Sequence, residues 1–67
     1  MLLDLTFTRG RVMRIRVLLA ESQAVFAKRL GVREDMVSRY ETGKAVPMQA
    51  KVLKALLEAE QEAEGKI

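Results

Sequence analysis

Residues Ser22 to Pro47 read SQAVFAKRLGVREDMVSRYETGKAVP, and the spacing of their apolar positions predicts two short helices joined by a tight turn. The Ser22 hydroxyl is suited to cap the first helix, whose apolar face is Phe26, Ala27 and Leu30. Gly31 follows the last periodic residue, where a left-handed backbone turns the chain at little cost, and Val32 is expected to insert at the corner. A second helix should begin at about Arg33 or Glu34 and end near Thr42-Gly43. It would bury Val37 and Tyr40 and turn Arg33, Glu34, Asp35, Ser38 and Arg39 to solvent. Two such helices form a helix-turn-helix, and the second has the size to enter a DNA major groove.

The rest of the chain limits what that unit can be. Sixty-seven residues make one small domain, near the lower limit at which a single core folds unaided. With no cysteine and no histidine, disulfides, thiol catalysis and the usual zinc ligands are removed together. Ser22 and Ser38 have no histidine to activate them, and there is no glycine-rich phosphate loop. Neither enzyme activity, cofactor nor metal is expected, and no small-molecule pocket is foreseen. No apolar run is long enough for a membrane span, and MLLDLTFTRGR has its charges in the wrong order for a signal peptide, so the expectation is a soluble, cytoplasmic chain.

Charge is unevenly placed. Residues 1 to 54 hold eleven Lys and Arg against five Asp and Glu, whereas residues 55 to 67 hold one against four, so a body of net +6 carries a tail of −3. A basic compact unit suits phosphate binding, because each cationic contact releases condensed counterions.

Leu3, Leu5 and Phe7 alternate with Asp4, Thr6 and Thr8, which predicts an extended arm over residues 1–9, laid on the helices or paired with a second chain. A helix over Arg11 to Ala20 would put Val12, Ile15 and Leu19 on its inner face and leave Met13 and Val17 on the outer one, where a covering arm or partner subunit is wanted. After Pro47, the segment Met48 to Ala63 consists of strong helix formers with Val52, Leu53, Leu56 and Leu57 as its stripe. Beyond Leu57 no apolar face is evident, so residues 10–60 form the folded domain and 61–67 a frayed acidic tail.

Ser22-Gln23, Phe26-Ala27, Leu30-Gly31-Val32, Val37-Ser38-Arg39, Tyr40-Glu41, Gly43-Lys44 and Pro47 together resemble the Cro/repressor-type (xenobiotic-response-element) helix-turn-helix family over roughly residues 12 to 57. The resemblance implies an all-α, lambda-repressor-like bundle of four helices with a short N-terminal extended arm. It also implies a sequence-specific regulator of transcription that binds double-stranded DNA, most simply a repressor; because one such helix reads only a few base pairs, and the arm and Met13 and Val17 offer surplus apolar groups, a homodimer is expected. Arg33, Glu34, Asp35, Ser38 and Arg39 fall where the family reads bases, and Gln23, Thr42 and Lys44 where it holds phosphates. Arg16 and Glu41 fall on a pair that ties the first helix to the helix-turn-helix. Glu34 and Asp35 depart from the pattern, since phosphate repels carboxylates, and Ala20-Glu21 replaces the usual Gly-Leu, which suggests a more helical corner. HigA-like antitoxins share the framework, so the alternative is a protein-interaction module that binds a toxin protein and has weak or no DNA binding.

Overall fold

The computed structural model describes residues 4–67. Four helices follow one another, α1 (Arg9–Leu18), α2 (Gln23–Leu30), α3 (Glu34–Thr42) and α4 (Ala50–Glu64), with no strand among the described residues. The fold is the all-α, lambda-repressor-like bundle implied by the sequence. α3 packs on α1 and α2, and α4 closes the other side against the same two helices. Val12, Ile15 and Leu19 meet Phe26, Leu30, Val37, Tyr40, Val52 and Leu56 in one core, and no buried side-chain polar atom lacks a hydrogen-bond partner among the described residues.

α1 starts two residues before the expected Arg11, because the Thr8 hydroxyl accepts from the Arg11 amide and caps the helix there. Residues 4–8 form no strand, and the Thr6 amide donates to the Asp4 side chain at 2.9 Å. Phe7 is buried in the chain's own core, under the Arg11 guanidinium at 4.0 Å from the ring centroid. Arg11 Nη1 donates to the Asp4 and Thr6 carbonyls at 2.8 and 3.1 Å, which ties the arm down. Leu3, the first member of the alternating pattern, lies outside the described residues. Leu5, Met13 and Val17 stay about half exposed.

α4 departs most from the sequence reading. It continues to Glu64, and Ala59 and Ala63 are fully buried, so an alanine face carries the stripe past Leu57. Alanine is too small to stand out in a hydropathy pattern, yet it allows the helix to approach its neighbours closely. Two acids of this segment are tied to the body: Glu60 takes Arg11 in a two-pronged pair at 2.7 and 2.8 Å, and Glu62 takes Arg29 at 2.6 Å. Arg11 holds the Glu60 carboxyl below its ordinary range, against the opposing effect of burial.

Three helices end in a left-handed residue, with the following amide reaching back five positions: Glu21 to the Arg16 carbonyl, Val32 to Ala27 and Lys44 to Arg39. At two of these ends the residue is glycine, Gly31 at φ 72° and Gly43 at φ 81°. At the third it is Ala20, φ 57°. The corner before α2 is therefore no more helical than usual. Alanine has been forced into the conformation a glycine adopts freely, and Glu21 is drawn onto Arg29. Replacing Ala20 with glycine should remove a penalty of about 1–2 kcal/mol while adding about 0.4–1 kcal/mol of chain entropy to lose on folding. Thermal denaturation of Ala20→Gly should show a melting temperature several degrees higher; a decrease would contradict the backbone assigned to this corner.

Candidate nucleic-acid interface

Successive residues of a helix are about 100° apart, and on α3 this divides the side chains into two arcs. Val37, Tyr40 and Glu41 are buried, with Met36 packed beside them. Glu34, Asp35, Ser38, Arg39 and Thr42 occupy the opposite arc, all exposed except the half-buried Ser38. Arg33 immediately precedes the helix, and its side chain makes no capping hydrogen bond. Its guanidinium instead reaches Asp35 at 3.2 Å. Glu34 and Asp35 lie in the first turn, where the helix dipole favours negative charge. These two acids thus have a physical reason to stand at a position otherwise unsuited to them.

The inner arc contains the one buried charge among the described residues. Glu41 has 2% of its side chain exposed and receives Arg16 through both carboxylate oxygens, at 2.6 and 3.0 Å. Arg16 spends a third donor on the Glu21 carbonyl at 2.9 Å. The Gln23 side-chain nitrogen donates to the same Glu41 at 3.1 Å. A carboxylate only accepts, so the Gln23 amide must turn its nitrogen inward, and a second N–H remains for an outside acceptor. One buried acid thereby fixes α1, the first residue of α2 and the end of α3 relative to one another.

Lys44 is exposed just beyond Gly43 and, like Arg39, has no ion-pair partner among the described residues. The Thr42 hydroxyl donates back to the Ser38 carbonyl at 2.9 Å, so it must rotate before it can donate to a phosphate. Arg29 is pinned by Glu21 and Glu62. The Glu21 carboxyl is held below its ordinary range by that arginine. Sequence reasoning also missed an open groove of about 410 Å³ beside the start of α3, lined by Val32, Met36, Tyr40, Val46 and Met48. Val46 and Met48 break no periodicity, because they lie in the loop before α4.

A family model described as Helix-turn-helix, of the Cro/repressor type, matches residues 12–59. The chain belongs to this helix-turn-helix family, and the matched span covers α2, α3 and the greater part of α1 and α4. It therefore carries the DNA-binding domain of a transcription regulator, a family that is generally non-enzymatic. Among curated proteins and solved structures none matches the chain. No described helix is long and apolar enough to cross a membrane, and no described cluster of acids could hold a metal ion.

The network around Glu41 makes an asymmetric prediction. Arg16→Met leaves a buried carboxylate with only Gln23, and should cost about 3 kcal/mol or more. Glu41→Gln leaves a partly exposed guanidinium that keeps its bond to the Glu21 carbonyl, and should cost less. Chemical denaturation of both variants and of the double variant should show the double costing less than the sum by more than about 1 kcal/mol. Strict additivity would refute the coupling.

Proposed function

We propose that this protein is a sequence-specific repressor that works by occluding its operator, with α3 as the recognition helix. Arg33, Glu34, Asp35, Ser38 and Arg39 form the base-reading set. Gln23, Lys44 and, once its hydroxyl rotates, Thr42 hold phosphates. The observation that carries this reading is the outer arc of α3, where Arg39 leads directly to Lys44, both exposed and without an ion-pair partner among the described residues. A guanidinium placed there suits the N7 and O6 of guanine, and the acids of the first turn suit the N4 of cytosine. Arg33 and Asp35, 3.2 Å apart and largely exposed, are free to exchange this pairing for contacts with bases.

One recognition helix reads only a few base pairs, so the repressor acts as a homodimer on two half-sites about 34–36 Å apart. Leu5, Met13 and Val17 are the exposed apolar groups from which its interface would be made. The same three residues, with the acids on α3, favour the one competing reading, an antitoxin-like module that holds a toxin protein and leaves DNA alone.

Selection of bound sites from a random duplex library, followed by anisotropy titrations across salt concentration, separates the two. A repressor should yield a palindrome bound by two copies, with affinity falling steeply as salt rises. Arg39→Ala should relax the preference at one base pair of each half-site, whereas Lys44→Ala should weaken binding to all sequences alike. No enrichment, with no binding even at low salt, would remove the repressor reading and leave the interaction module.

A further inference from the structure

Arg9 is the first residue of α1, and its aliphatic stem crosses the end of α3. The Cδ lies 3.4 Å, and Nη1 3.9 Å, from the position a β-carbon would take on Gly43. Glycine is favoured at position 43 by its backbone angle, φ 81°, and the Arg9 stem lies at ordinary van der Waals distance from where a β-carbon would be. The guanidinium so placed is beside the residue that precedes Lys44.

The neighbouring charges make this position unusual. Of the four arginines on α1, Arg11 is engaged by Glu60 and Arg16 by Glu41, while Arg9 has no ion-pair partner among the described residues. Arg14 is also unpaired, but it faces the acidic end of α4, where its charge helps to lower the Glu60 carboxyl. The first turn of α1 contains no acid, although a helix start favours negative charge, so Arg9 stands against its own helix dipole. Its opposition to that dipole is offset by the C-terminal end of α3, where the Arg39 carbonyl gathers the amides of Gly43, Lys44 and Ala45. An exposed cation with little net part in stability, held in place over the end of a recognition helix, is suited to an anion from outside.

We propose that Arg9 is a phosphate-binding residue that acts with Lys44 on the same stretch of DNA backbone, a contribution from α1 outside the helix-turn-helix itself. The proposal rests on the DNA-binding reading above. Arg9 and Lys44 together form a two-cation clamp across Gly43, fixing the register in which α3 enters the groove. A phosphate contact is driven by charge and reads no base, so lysine at position 9 should serve nearly as well as arginine.

The test uses the whole 67-residue chain and a fluorescent duplex of mixed sequence of about 20 base pairs, with affinity measured at several salt concentrations. Arg9→Ala should make the dependence of log affinity on log salt shallower by about 0.9, the share of one phosphate. Arg9→Lys should keep the wild-type slope, as should Arg14→Ala, which removes equal charge from the same helix. Thermal melts of all variants should stay close to the parent, and Arg9→Gln, which keeps part of the stem over Gly43, substitutes should the alanine variant melt early. A wild-type slope in Arg9→Ala or in its glutamine substitute would overturn the assignment of Arg9 while leaving the DNA-binding reading intact. An equal loss in Arg14→Ala would overturn it too, by reducing the effect to overall charge. If the parent chain itself shows no salt-dependent binding, the reading and the proposal fall together, a result distinct from both of the others.

Discussion

Burying a carboxylate is costly unless it is fully paired, and Glu41 satisfies that condition with donors from two other helices. The consequence is positional. Apolar packing alone would tolerate small slides of α3 along the core, since Val37 and Tyr40 contact their neighbours without direction. The two-pronged bond from Arg16 permits one orientation, and the donor from Gln23 sets the entry of α2 against it. If the outer arc of α3 reads bases, as proposed, it has to be held to within a fraction of an ångström. The inner arc supplies that constraint.

A second set of ion pairs separates the charges of the molecule by role. Arg11 and Arg29, on α1 and α2, are neutralised by Glu60 and Glu62, so the acidic end of α4 acts as a brace rather than as a loose tail. The cations left without ion-pair partners among the described residues include Arg9, Arg39 and Lys44, which lie about the end of α3. The +6 of residues 1 to 54 is therefore not spread evenly over the surface. Part of it is consumed in holding α4, and part remains beside the end of α3. Extension of α4 to Glu64 gives the domain its added packing: Ala59 and Ala63 complete a core that would otherwise be small for a chain of this length.

The helix-turn-helix was legible from Ser22 to Pro47 because the signals there are local: a capping serine, a glycine in the left-handed region at each helix end, and apolar residues at helical spacing. The pair between Arg16 and Glu41 was legible only through the family resemblance, since charges 25 residues apart leave no mark on local pattern. Three features could not be read in this way. Thr8 caps α1 only if the arm folds back, which depends on the burial of Phe7 in the tertiary core. The alanine face of α4 is hidden among glutamates, and its value depends on what packs against it. Arg9 was read as the end of the arm, and its place over Gly43 follows from the approach of two helix termini that the sequence keeps far apart.

The central claim is that the surface built around the outer arc of α3 is the one that meets DNA. Amide chemical-shift mapping of the nitrogen-15-labelled chain, titrated at low salt with a selected or mixed-sequence duplex, tests it residue by residue. The account predicts that changes concentrate at Arg9, at Gln23, from Arg33 to Arg39 and at Gly43 and Lys44, while Ala59 to Glu64 hardly move. Changes confined to the α4 end or to the face carrying Met13 and Val17, with α3 silent, would contradict it.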